Sequence, residues 1–153
     1  MILVIRHAVA GERAQWRGTP DARRPLSGRG RKQANALVKQ HKNRPLERLL
    51  SSPYDRCIQT LEPLAVERGL QIEVHPALEE GASWKAIRSL LEEVTNQDVA
   101  LCSHGDVIGT LITHLEKLGA KKPKREQWSK ASTWVLEVQG GAIRRARYKE
   151  PPR

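Results

Sequence analysis

Apolar residues along this chain come in two alternating rhythms. Ile2 to Ile5 is a short run of β-branched and aliphatic residues, which predicts a buried strand. Residues 8–26 follow as a long polar connection rich in Arg, Gly and Pro, and connections of that length are usually functional. Ser27 then caps a predicted helix reaching about Lys42, with Ala34, Leu37 and Val38 on one face. Leu46 to Ser51 reads as a second strand. Ser52 and Pro53 supply a cap and a first-turn proline for a helix that turns Ile58, Leu61, Leu64 and Ala65 inward and stops near Gly69. Gln71 to Val74 is a third strand. Ser83 opens a helix with Ile87, Leu90, Leu91 and Val94 at core spacing. Asp98 to Ser103 is a fourth strand, and Val107, Ile108, Leu111, Ile112 and Leu115 stripe a helix ending at Gly119. Thr133 to Val138 and Ala142 to Tyr148 flank Gly140-Gly141, a hairpin signal.

Strands alternating with helices predict an α/β fold: a three-layer sandwich with a mainly parallel mixed sheet, helices on both faces and an antiparallel strand at the end of the chain. The 153 residues fit one domain, 1–153, with no repeat or internal boundary. No apolar run approaches the ~18 residues of a membrane span, and Met1 to Arg6 lacks the basic start of a secretory signal. The expectation is a cytoplasmic protein without membrane contact. Cys57 and Cys102 stand far apart among apolar neighbours and read as small core residues rather than metal ligands or a disulfide.

Charge changes the picture only at the C-terminal end. The formal net charge is +10, and residues 120–149 hold nine basic side chains against two acidic ones. The excess is concentrated in 121–125 and 144–149. Such a surface is most often a solvated face, but phosphorylated partners or polyanions are its natural ligands. With six aromatic residues and no stacking module, the sequence argues against nucleic acid as the partner.

Candidate chemistry gathers at the strand ends, where ligands of open α/β sheets bind. Arg6-His7 follows the first strand, Ser51-Ser52-Pro53-Tyr54-Asp55-Arg56 the second, and Ser103-His104-Gly105-Asp106 the fourth. Two histidines and two arginines therefore meet at one rim. Arginines would repel a cation, so no metal is expected there. A phosphate suits the set, since guanidinium groups fork onto its oxygens and the helix starts at Ser52 and Gly105 add N–H donors. A neutral imidazole among those cations is a competent nucleophile toward phosphorus.

Arg6-His7, Leu26-Ser27-x-x-Gly30-x-x-Gln33-Ala34, Ser51-Ser52-Pro53-x-x-Arg56-x-x-Gln59-Thr60 and Ser103-His104-Gly105 together resemble the histidine phosphatase superfamily, the phosphoglycerate mutase-like fold. The short length resembles its SixA-type phosphohistidine phosphatases. Arg6-His7-Ala8-x-Ala10-Gly11, Arg24-Pro25-Leu26 and Ser132-Thr133-Trp134-Val135-Leu136 are similar to the phosphatase domain fused to Nudix hydrolases. The resemblance implies a metal-independent, cofactor-free phosphatase in which His7 takes the phosphoryl group as a phosphohistidine. Arg6, Arg56 and His104 would hold the phosphoryl oxygens, and Arg24 and Ser52 are further candidates for substrate contact.

Two positions depart from the family pattern. Ala8 stands where glycine is usual. The family's Leu-x-Glu acid segment matches Leu78-Glu79-Glu80, which makes Glu80 the expected general acid, with Glu79 and Asp106 as alternatives. A phosphohistidine protein is the first expected substrate, and a nucleotide or small phosphorylated metabolite the second. A Glu80 that faces the site favours the second, because an alkoxide leaving group needs a proton and a phosphoramidate does not. The reading from another class is a catalytically weak basic module that binds nucleic acid or a protein. No oligomeric state follows from the sequence.

Overall fold

The computed structural model describes residues 1–153. In β1 (Ile2–Arg6), Ile2 and Val4 join one apolar cluster and Leu3 and Ile5 the other, so this strand is buried on both faces. The remaining strands are β2 (Arg48–Ser51), β3 (Ile72–Val74), β4 (Val99–Ser103), β5 (Thr133–Gln139) and β6 (Ala142–Lys149). They form one sheet in the order β3-β2-β4-β1-β5-β6. The first four run parallel, β5 pairs antiparallel with β1, and β6 returns antiparallel along β5.

Helices cover both faces, as expected. α1 (Gly28–Gln40) and α2 (Asp55–Arg68) bury Leu37, Cys57, Leu61 and Leu64 against Leu3, Ile5, Leu49 and Cys102. α3 (Trp84–Val94) and α4 (Gly105–His114) bury Ile87, Leu90, Ile108 and Leu111 against Val4, Leu50, Leu101 and Trp134. Ser27 and Ser83 cap α1 and α3, their hydroxyls accepting from Gly30 N–H and Ala86 N–H. No helix is long and apolar enough to cross a membrane.

Three expectations about the helices are corrected. α2 begins at Asp55 with Tyr54 in the capping position, so Ser52 and Pro53 precede the helix instead of opening it. Within α2, Ile58 is only half-buried, and Arg56, Cys57 and Thr60 take the inward positions beside Leu61. α4 stops at His114; turns continue to Gly119, whose φ of 86° suits glycine.

A histidine outside the rim bears on stability. His41 at the end of α1 is fully buried, and its Nε2 lies 3.0 Å from Thr133 Oγ1. Burial, with Arg44, Lys149 and Arg68 nearby, pushes its pKa down to about 4. The unfolded chain therefore takes up this proton first as pH falls. Stability should drop across pH 6.5 to 4, by about 3 kcal/mol from this residue. Urea unfolding of the wild type and His41→Gln at pH 7 and pH 4 measures the drop. Equal losses in the two proteins would show that His41 is not the cause.

Candidate active site

The register of the parallel strands brings their ends level. Arg6 pairs with Ser103 and Ser51 with Cys102, so His7, Ser52 and His104 each stand one residue beyond neighbouring strands. A cleft of about 540 Å³ opens there, with Arg6, His7, Arg56, Glu80 and His104 in its wall.

His7 is 6% exposed, and its Nδ1 lies 2.8 Å from the Ala8 carbonyl oxygen. A carbonyl can only accept, so Nδ1 carries the proton and Nε2 keeps its lone pair. Burial pushes the His7 pKa down to about 3, and Arg56, His104 and Arg6 add to the fall against the opposing Ala8 contact. The ring is thus neutral at physiological pH, as a nucleophile requires.

The backbone around His7 is held from several sides. Ala8 N–H donates to Thr60 Oγ1 at 2.9 Å, Val9 N–H to Gln33 Oε1 at 3.0 Å, and Leu26 N–H to Gln59 Oε1 at 2.9 Å. Gly30 lies against Val9 so closely that a Cβ there would stand 1.9 Å from the Val9 carbonyl oxygen, a position only glycine can fill. Ala8 itself is fully buried. On the other side Ala131, at φ 66°, donates its N–H to the carbonyls of Arg6 and His7. The Gly30, Gln33, Gln59 and Thr60 positions of the sequence pattern therefore brace the segment that follows His7.

His104, 5.5 Å from the His7 ring between centroids, meets it edge-on. Its Nε2 is 2.7 Å from Ser52 Oγ and 3.6 Å from Cys57 Sγ. Ser52 Oγ also accepts Tyr54 N–H at 3.2 Å, so one hydroxyl ties the loop after β2 to the His104 ring. Ser52, expected at the substrate, is fully buried behind His104 and does not line the cleft. Cys57 and Cys102 are buried free thiols in the same apolar cluster.

Arg6 lies flat over Gly105: a Cβ on that glycine would meet the Arg6 Cζ and Nη2 at 3.0 Å. Its Nη1 donates to Trp128 O at 2.8 Å. Arg56 is 1% exposed, with Nη1 on Asp21 O at 2.9 Å and Nη2 on Asp21 Oδ2 at 3.0 Å. Asp21 also accepts from Arg24 Nε at 2.9 Å, and Arg24 Nη1 donates to Gly11 O at 2.7 Å. Arg24 thus lines the cleft with two of its nitrogens committed to the protein. Among the cleft residues, three buried nitrogens have no partner in the protein: Arg6 Nε, Arg56 Nε and His104 Nδ1. Unpaired buried donors are costly, and a phosphoryl group with three oxygens satisfies such a set.

Of the acid candidates, Glu80 and Asp106 line the cleft and Glu79 does not. Asp106 Oδ2 accepts Gly81 N–H at 2.8 Å, tying α4 to the turn that carries Glu80. Glu80 Oε2 is 3.8 Å from Arg56 Nη2. Asp21, Trp128 and Lys130 were not singled out by the sequence reading; they sit in segments without periodicity.

A family described as the histidine phosphatase superfamily (branch 1) matches residues 2–84 and 83–151. An 8-oxo-(d)GTP phosphatase of Mycolicibacterium smegmatis is 38% identical over 156 residues, covering 99% of this chain and 48% of that protein. The chain thus spans about half the length of that curated relative. Among solved structures, the protein histidine phosphatase SixA complexed with tungstate is 24% identical with a TM-score of 0.69, covering 97% of this chain and 94% of that one. A mycobacterial glucosyl-3-phosphoglycerate phosphatase is 19% identical with a TM-score of 0.72, covering 97% and 96%. These two likenesses speak to the fold.

Proposed function

The chain belongs to the histidine phosphatase superfamily, and from that footing we propose that it is a metal-independent phosphatase working through a phosphohistidine on His7, with phosphate esters, nucleotides among them, as substrates. The observation that carries this reading is the set of three unpartnered nitrogens, Arg6 Nε, Arg56 Nε and His104 Nδ1, on residues lining the same cleft as a histidine whose Nε2 lone pair is free.

In the first step Nε2 of His7 bonds to phosphorus as the bond from phosphorus to the leaving oxygen breaks. The three donors and the two guanidinium charges stabilise the charge spread over the phosphoryl oxygens. Glu80, as general acid, gives a proton to the departing oxygen. In the second step the Glu80 carboxylate takes a proton from water, whose oxygen attacks phosphorus. The nitrogen–phosphorus bond breaks and His7 is neutral again. One feature supports the ester preference over the phosphohistidine protein expected first from the sequence, namely that Glu80 lines the cleft; the name of the Mycolicibacterium relative supports a nucleotide, there with its terminal phosphate in an anhydride.

The test is a chelator-treated assay with p-nitrophenyl phosphate, a phosphohistidine protein and a nucleotide panel. Turnover without metal, with nucleotides ahead of the phosphoprotein, is the expected result. A faster phosphoprotein would return the SixA-like reading, and no turnover with salt-dependent nucleic-acid binding would leave only the basic binding module. Glu80→Gln isolates the acid. It should lower kcat on alkyl phosphates by about 10²- to 10⁴-fold, and far less on p-nitrophenyl phosphate, whose leaving group needs no proton. Equal losses on both would remove Glu80 from that role.

A further inference from the structure

Asp21 does not line the cleft, yet two of the arginines that do are fastened to it. It opens the short 3₁₀ turn Asp21–Arg23 in the long connection after β1. Its carboxylate takes Arg24 Nε on one oxygen and Arg56 Nη2 on the other, at 2.9 and 3.0 Å. Its carbonyl oxygen takes Arg56 Nη1 at 2.9 Å and the Arg24 backbone N–H at 3.0 Å. One residue thus engages both terminal nitrogens of Arg56. A planar fork held at both tips cannot turn, so the direction of its remaining nitrogen, Nε, is fixed with it.

Arg56 has one other carboxylate in ion-pair range. Glu80 Oε2 lies 3.8 Å from the same Nη2 that Asp21 holds at 3.0 Å. The Arg56 guanidinium is almost wholly buried, and a buried charge needs a partner. Without the Asp21 carboxylate the nearest one is the acid. Closing on Glu80 would swing Nε from its place and engage the acid's carboxyl in the same movement. Charge alone argues against an aspartate here, because a carboxylate bridging two arginines weakens their attraction for a phosphate. Its contribution has to be geometric.

Resting on the assignment of His7 as nucleophile and Glu80 as acid, we propose that Asp21 is a positioning residue of this site: it holds Arg56 apart from Glu80, so that the guanidinium serves the transferred phosphoryl group and the acid serves the leaving group.

A double-mutant cycle tests this. Asp21→Ala should lower kcat on p-nitrophenyl phosphate by about 10- to 100-fold, the scale of a displaced catalytic group. Asp21→Asn keeps one acceptor oxygen; it should fall between that variant and wild type, and it serves if the alanine protein does not fold. In an Arg56→Lys background, which has no fork to align, Asp21→Ala should cost less than about threefold. Equal losses in the two backgrounds overturn the proposal, because an effect of charge or of stability acts on lysine as on arginine. So does a kcat within about twofold of wild type in both Asp21 variants. An alkyl phosphate, whose leaving group needs a proton, should lose more than p-nitrophenyl phosphate in Asp21→Ala, and an equal loss on the two also overturns it. Failure of the underlying assignments appears elsewhere, as a wild type without turnover or a Glu80→Gln protein indifferent to the leaving group. The cycle is then read from the calorimetric affinity for inorganic phosphate, where equal losses in the two backgrounds again remove Asp21 from the role.

Discussion

Replacing His7 by alanine should reduce kcat on every phosphate substrate by roughly 10⁴- to 10⁶-fold, as loss of a covalent nucleophile does. No other side chain can take its place. His104 is buried, with its Nε2 held on Ser52 Oγ. Cys57 lies behind His104, buried and outside the cleft. The accompanying observation is a radiolabelled intermediate: brief mixing with labelled substrate and an alkaline quench should trap phosphate on the wild type and none on the variant. A variant within tenfold of wild type, with the label still trapped, would mean that another residue attacks. Because the neutral form of His7 persists down to about pH 3, its own protonation should not produce a limb near pH 6.5 in the pH dependence of kcat/KM.

Arg56→Lys should cost about 10²- to 10³-fold in kcat, the scale of removing one transition-state donor. The charge survives this change, so the loss measures geometry. Two terminal nitrogens of Arg56 are committed to the Asp21 carbonyl and carboxylate, leaving Nε for the phosphoryl group. A lysine has one nitrogen for all three tasks. Its ammonium must either stay with Asp21 or turn to the substrate, leaving a buried partner unpaired at about 1–3 kcal/mol. Thermal unfolding run beside the kinetics separates the effects. A lowered Tm with unchanged kcat would make Arg56 a structural residue only.

What could be read in advance has a common cause. Arg6, His7, Arg56 and His104 each follow a strand or open a helix, and in a parallel sheet those positions converge whatever the details of packing. The order of strands and the two apolar layers follow from the same periodicities. Ser52 was legible as important but not in its role: a serine before proline signals a cap, while its partner, His104, is fifty-two positions away. Gln33, Gln59 and Thr60 carried the family resemblance, yet their purpose appears only when α1 and α2 lie over residues 8–26 and their side chains reach that segment's backbone. Asp21 lies in the aperiodic connection, where no spacing marks a residue that will hold Arg24 and Arg56.

The C-terminal basic residues gain a different meaning from their place on the sheet. β6 is its outermost strand, and Arg144, Arg145, Arg147 and Lys149 stand exposed along it. Part of its free edge is already occupied, since Lys121 N–H donates to Arg144 O and Lys121 O accepts from Ala146 N–H. Lys122 beside it is nearly buried between Glu116 and Glu126. A second molecule that tried to extend the sheet would have to align its own row of cations against this one. The charge that reads as an invitation to polyanions is therefore also a barrier to edge-to-edge stacking of like chains, one that high salt would lower.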